Sequence, residues 1–191
     1  MILSNVDIRE AVDSGEIIVD PFDPDLIKRN SYLLRLGESF RRISGSSVFD
    51  TADAEHYELF GGQAWEDRSV EVNPDSLVLA TSLQKVAVGP GIVGVLSGIS
   101  NVARLGVLVH ATSAFVNAGF GMPDQPASVV FELATIGGRR VRLYSGTPVC
   151  HLAFLRTQTA SDFPMPSRRT GQVGPDPTEL LAQFGRYFLR H

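Results

Sequence analysis

Ser128-Val-Val-Phe-Glu-Leu-Ala134 decides how this chain reads, because it sets one carboxylate, Glu132, inside an apolar run. Apolar neighbours on both sides predict a largely buried strand. It is one of seven short β-rich runs, separated by Gly, Pro and Asn, that cover residues 69–72, 77–85, 92–96, 107–111, 129–134, 140–144 and 149–156. Strands this short and this regularly spaced bury alternating or continuous apolar faces between sheets, which predicts a mainly β domain of the sandwich, jelly-roll or distorted-barrel kind.

Outside these runs the signals are more local. Ser4 followed by Asp7 predicts a helix cap, Ile8, Ala11 and Val12 carry helical spacing, and Gly15 is placed to end a short opening helix. Residues 20–29 hold two prolines and many acids and read as an irregular loop, with a short strand over 32–36. Residues 44–67 have weak periodicity and read as an excursion or hairpin without chemistry. Beyond a β domain spanning 1–166, the tail 167–191 is first basic, then rich in Gly and Pro. It ends in an apolar-periodic run over 179–189 that predicts a helix capped by Asp176.

Composition narrows the function class. The 191 residues are 43% hydrophobic and 20% charged, ordinary for a globular domain with a sizeable core. A net charge of −4 argues against a nucleic-acid partner, which favours a basic face, although the pairs Arg139-Arg140 and Arg168-Arg169 suit a small anionic ligand. The first residues lack a basic, then apolar leader, and no apolar run approaches a membrane span of about 20 residues, so a cytoplasmic location without membrane contact is expected. A single cysteine, Cys150, excludes an intrachain disulfide. His56, His110, His151 and His191 lack metal-ligand spacing, and the H-x-E and P-C-x-x-C motifs of zinc deaminases are absent, so no zinc site is expected.

Two features carry candidate chemistry. Ser97-Gly-Ile-Ser-Asn-Val-Ala-Arg-Leu-Gly106 brings hydroxyl, amide and guanidinium groups into a turn, where they can cradle a phosphate or orient a water. The same pattern also fits a surface turn with a structural arginine. Glu132, if buried, needs a partner, and a glutamate facing Arg104 is placed either for proton transfer or for an ion pair that fixes strand register.

In the order of its elements the whole chain resembles the dCTP deaminases of the dUTPase superfamily. Leu3-Ser-Asn-Val-Asp-Ile8 resembles the opening helix, Asp20-Pro-Phe-Asp23 the early loop, and Ser31-Tyr-Leu-Leu-Arg-Leu36 the S-x-D-x-R-L strand. Residues 74–83 resemble the strand after the H-P-G turn. Ser100-Asn-Val-Ala-Arg-Leu-Gly106 resembles the S-S-x-x-R-x-G motif. His110-Ala-Thr-Ser-Ala-Phe-Val-Asn-Ala-Gly-Phe120 resembles the hairpin that holds base and sugar, Phe131-Glu-Leu133 the catalytic strand, and Gly171-Gln-Val-Gly174 the segment that closes over the triphosphate.

The resemblance implies a distorted jelly roll or β-barrel of the dUTPase-like type, assembled as a homotrimer with active sites between subunits. It implies conversion of dCTP to dUTP and ammonia without a catalytic metal, with magnesium entering on the nucleotide phosphates. Glu132 would activate the water, Ser100 would position water or phosphate, and Arg104 would orient Glu132 and stabilise developing charge. Asn101, the backbone from Ala111 through Thr112 to Val116, Asn117 and Phe120 would line the nucleotide site. Gln172, with Arg168 and Arg169 of the tail, would reach the phosphates.

Departures from the family pattern cluster in the pocket. Ile99 stands where the family has Lys or Arg, Asn101 replaces a second serine, Leu33 replaces an aspartate, and Arg169 stands in place of a tyrosine. Asn117-Ala118 replaces Asp-Pro. The matching aspartate of dUTPases helps to activate the water that attacks the α-phosphate, so Asn117 argues against a dUTP diphosphohydrolase. A non-catalytic pyrimidine-nucleotide-binding homologue is the other alternative. The connection over 121–127 is longer than the family's, and it either reshapes the pocket mouth or decorates the trimer surface.

Overall fold

The computed structural model describes residues 1–43, 48–59, 62–111, 113–162 and 171–188. Its first helix, α1 (Asn5–Asp13), starts on the predicted capping box. The Ser4 hydroxyl accepts from the Asp7 amide at 3.3 Å, and an Asp7 carboxylate oxygen accepts from the Ser4 amide at 2.8 Å. The Ser4 hydroxyl, which also donates to the Asp7 carboxylate at 2.7 Å, and then the Ser4 amide hold the Asp7 carboxyl below its usual range. Ile8 and Ala11 turn inward, and Gly15, at φ +75°, lets the chain reverse.

In chain order there follow β1 (Ile17–Asp20), a 3-10 turn at Pro24–Leu26, β2 (Ile27–Lys28), β3 (Ser31–Ile43), α2 (Ala54–Leu59), β4 (Trp65–Glu66), β5 (Ser69–Val72), β6 (Leu77–Val88) and β7 (Ile92–Gly98). The remainder comprises α3 (Ser100–Ala103), β8 (Val107–Leu108), β9 (Phe115–Val116), β10 (Ala127–Thr135), β11 (Val141–Tyr144), β12 (Pro148–Arg156) and α4 (Leu180–Phe188). The mainly β expectation therefore holds. A ten-stranded sheet runs in the order β8-β10-β6-β3-β12-β7-β9, with β1, β2 and β4 branching from it, and β5 and β11 form a second, two-stranded sheet.

The curl of the large sheet originates in β3, which is far longer than the predicted 32–36. Its first half pairs with β12 and its second half with β6, with a register shift between Leu36 and Phe40. Gly37 lies at that irregularity, where a Cβ would meet the Thr81 carbonyl and hydroxyl oxygens at 2.8 Å. A strand that changes partner at a bulge turns the sheet through a corner and wraps it round its own core. Phe40, Phe131 and Phe154 are fully buried there beside Leu36, Leu133 and Leu152.

Three expectations need correction. Part of the 44–67 region is helical, as α2, and β4 pairs with Ser39 and Phe40, because Trp65 packs its ring on Phe40. The predicted strand over 107–111 is regular only at Val107–Leu108. The terminal helix exists, but its capping side chain is Thr178, whose hydroxyl accepts from the Leu180 amide at 3.3 Å, not Asp176. Among the described residues no helix is long and apolar enough to cross a membrane. The boundary drawn at 166/167 lies outside the described residues.

Cys150 sits fully buried on β12, its thiol donating to the Ser97 carbonyl at 3.4 Å. Burial pushes its pKa up to about 12 from an ordinary 9.0. The unfolded thiol thus ionises first, and folding loses stability as pH rises between those two values. Ellman's reagent at pH 8 should label no thiol in the folded chain and one per chain in guanidinium. Phe131→Ala, which empties the core beneath Glu132, should lower unfolding free energy in urea titrations by about 3–5 kcal/mol.

Candidate functional site

Strand periodicity places the central carboxylate. Along β10, Val129, Phe131, Leu133 and Thr135 are buried against the core, whereas Val130, Glu132 and Ala134 alternate onto the other face and are half-buried. Glu132 is therefore less buried than its apolar neighbours predicted. Residues 107–111 run antiparallel beside it: Leu108 pairs with Ala134, and the Glu132 amide donates to the Val109 carbonyl at 3.1 Å. The Ala111 amide then donates to Glu132 Oε2 at 2.8 Å. That charge-assisted bond fixes the carboxylate's orientation.

Glu132 lines a cavity of about 650 Å³. The hairpin after β9 supplies one side. The Phe120 amide donates to the Asn117 carbonyl at 3.0 Å to close the turn, and the Phe120 carbonyl accepts from Val88 at 2.9 Å to moor it on β6. Val116, Asn117 and Phe120 all line the cavity, with Asn117 exposed and Phe120 packed partly on the core. Gln172 lines it too, buried, and its Nε2 donates to the Gly174 carbonyl at 3.0 Å.

Other predicted residues stand apart from this group. Ser100, Asn101 and Arg104 are exposed on and just after the single turn of α3, and none lines the cavity. The Arg104 Nη1 donates to Asn101 Oδ1 at 3.3 Å, so the expected Arg104–Glu132 pairing within one chain is not formed. The reason is geometric. Val102 is the α3 residue that turns into the core, which leaves the hydroxyl, amide and guanidinium side chains pointing outward. Ile99, half-buried at the head of α3, packs against the core where a cation was expected from the resemblance. Ala111 touches the site through its amide on Glu132. Thr112, Arg168 and Arg169 lie outside the described residues.

Several lining residues escaped the sequence reading. Ile43, Leu77, Leu79 and Leu96, the first two half-buried and the last two buried, form an apolar wall contributed by β3, β6 and β7 that leaves no local mark in the sequence. Asp176 and Gln183 come from the tail. Among the described lining residues two are acidic, Glu132 and Asp176, and none is cationic.

Comparisons with known proteins bear on the family and the fold. The model of the dCTP deaminase-like family matches residues 2–157. A "dCTP deaminase, dUMP-forming" of Methanoregula boonei is 34% identical over 163 residues, covering 85% of this chain and 86% of that protein. Another of the same description, from Thermobifida fusca, is 30% identical over 203 aligned residues and covers 100% of this chain and 98% of its own length. The crystal structure of 2'-deoxycytidine 5'-triphosphate deaminase from Agrobacterium tumefaciens superposes with a TM-score of 0.61 at 14% identity. The match covers 80% of this chain and 47% of that longer one, a likeness of fold.

The position of α3 relative to β10 rests on Gly106, at φ +81°, where a Cβ would fall 2.6 Å from the Ile136 carbonyl oxygen. Gly106→Ala should therefore cost about 1–3 kcal/mol in denaturant titrations, since both the left-handed backbone and the close approach exclude a side chain.

Proposed function

We propose that this chain, which belongs to the dCTP deaminase-like family, deaminates dCTP by hydrolysis, with dUTP and ammonia as products. One observation carries the reading: Glu132 reaches the cavity from the catalytic-strand position of the resemblance, with its carboxylate held by the Ala111 amide at 2.8 Å. In the reaction Glu132 takes a proton from water as the oxygen bonds to C4 of the cytosine ring. The same carboxylate passes that proton to the exocyclic nitrogen, the C4–N bond breaks, and the amine leaves as ammonia. The apolar wall and Phe120 suit the flat base and the deoxyribose, and they exclude competing water.

The triphosphate needs positive charge that the described lining residues do not supply. Exposed Ser100, Asn101 and Arg104 fit a site completed by a neighbouring copy, in a homotrimer where α3 of one subunit faces Glu132 of the next. Arg168 and Arg169 are the further candidates for the phosphates. Magnesium is the ion the resemblance implies. Among the described residues no group of three His, Cys, Asp or Glu is placed for a metal, and the reading has the ion carried by the phosphate oxygens. Bound in that way it would offset phosphate charge.

Two products remain distinct readings. Asn117 lines the cavity where a dUTPase has its aspartate, and an amide cannot take a proton from a water attacking the α-phosphate, which favours dUTP. The dUMP-forming description of the relatives favours a second reading, in which the phosphate is hydrolysed as well.

Incubation with dCTP and magnesium, followed by chromatography, should give dUTP and ammonia in equal amounts. Release of pyrophosphate with dUMP would select the second reading, and no uracil nucleotide from any cytosine nucleotide would leave a binding protein only. Glu132→Gln should lower turnover by about 10³-fold or more with dCTP affinity little changed, because the amide keeps the shape of the carboxylate but cannot accept the proton. Arg104→Ala should weaken both turnover and binding. Mixing those two impaired variants, unfolded and refolded together, should restore part of the activity if the sites lie between subunits.

A further inference from the structure

We infer that Arg41 is a positioning residue of the nucleotide site, which it serves by anchoring the segment 171–178 as a wall of the cavity. Arg41 and Ile43 share a face of β3, Arg41 pairs across the ladder with Leu79 of β6, and both Ile43 and Leu79 line the cavity. The Arg41 side chain reaches over this edge. Its Nε donates to the Pro175 carbonyl at 2.9 Å and its Nη1 to the Gly62 carbonyl at 2.8 Å. A planar guanidinium can bind two carbonyls on separate segments at once, whereas a single ammonium makes a less directed contact. Pro175 has no amide proton, so its carbonyl is the backbone group by which this point of the tail can be held. Immediately after it, Asp176, Pro177 and Thr178 line the cavity, and Gln183 follows from α4.

A second anchor lies at the other end of the segment. Beside the register shift between Ser128 and Val130 of β10, two amides bond to groups other than the β6 backbone. The Val129 amide donates to Ser82 Oγ at 2.9 Å, and the Ser128 amide donates to the Gln172 carbonyl at 2.7 Å. Gly171, at φ +73°, lies so close to Gln125 that a Cβ would fall 2.7 Å from its side-chain Cδ and Nε2. Gln125 belongs to the long connection over 121–127, which is itself pinned as Met122 and Gln125 exchange backbone hydrogen bonds at 3.0 and 3.1 Å. That connection therefore packs against the start of the tail segment. The segment from Gly171 to Pro175 is fastened at both ends, by Gln125 and Ser128 on one side and Arg41 on the other. Arg41 itself does not line the cavity.

The inference rests on the cavity being the nucleotide site. Loss of the Arg41 anchor frees the wall that follows Pro175 but leaves the Ala111–Glu132 contact on the opposite strand in place, so substrate capture suffers and the chemical step does not. In the full chain, Arg41→Ala should raise KM for dCTP about fivefold or more, with kcat within about twofold. Amide exchange across 172–178, followed by mass spectrometry, should accelerate about tenfold while exchange across 127–135 stays unchanged. Arg41→Lys should recover part of both effects. Gly171→Ala should reproduce them from the other anchor. Unchanged exchange across 172–178 in Arg41→Ala overturns the inference, as does a fall in kcat with KM preserved. If Arg41→Ala loosens 127–135 as well, Arg41→Lys and Gly171→Ala decide, and unchanged exchange across 172–178 in both is refutation. A wild-type chain without deaminase activity defeats the reading of the site instead. The exchange comparison and the calorimetric affinity for dCTP then decide on Arg41, with weaker binding and faster exchange in its favour and no change against it.

Discussion

The pairing of β10 with β6 is the constraint on which the rest of the molecule depends. Below the bulge it is regular, with Val130 to Leu133 set against Thr81 to Val78, and that register buries Phe131 and Leu133 completely while turning Glu132 out of the core. A slip of one residue would bury the carboxylate and expose the phenyl ring. Glu132 is therefore held in place chiefly by the two apolar residues beside it, and only its final orientation by the Ala111 amide. At the bulge the Ser128 amide bonds to the Gln172 carbonyl and so joins the tail to the strand.

On the proposed reading, this division leaves a cavity better suited to a base than to a phosphate. Every described residue around the cavity is neutral or acidic, and the side chains best suited to an anion stand exposed on α3 or fall in the tail. On the proposed reading, a carboxylate-lined, partly apolar pocket repels a naked triphosphate, and the offsetting charge would come with the ligand, from a neighbouring subunit or from Arg168 and Arg169. An outward-facing Arg104, held weakly by an exposed Asn101, could meet a neighbouring subunit in the proposed trimer without first breaking a buried bond.

Reading the sequence recovered the elements whose signals are local. The Ser4–Asp7 cap, the strand around Glu132 and the terminal helix follow from side chains a few residues apart. Where pairing with distant strands decided the outcome, local signals fell short. β3 extends to Ile43 because β6 and β4 are there to receive it, and α2 lies in a stretch of weak periodicity. The apolar wall of Ile43, Leu77, Leu79 and Leu96 was illegible for the same reason, since each looks like an ordinary strand residue until the curl brings the four together.

The sequence by itself determined the class of the fold and set Glu132 on a strand, because strand signals act over short distances, whereas the hairpin that shares its cavity was marked by the family resemblance. It also marked Asn117 and Ile99 as departures that bear on phosphate chemistry. Only the tertiary structure decided that Glu132 is steadied by a backbone amide rather than by Arg104, and that α3 presents its polar side chains away from the cavity. It alone joined Arg41 to Pro175, 134 residues further along the chain. Contacts of that reach depend on how a bulged sheet closes on itself, and no window of neighbouring residues encodes that closure.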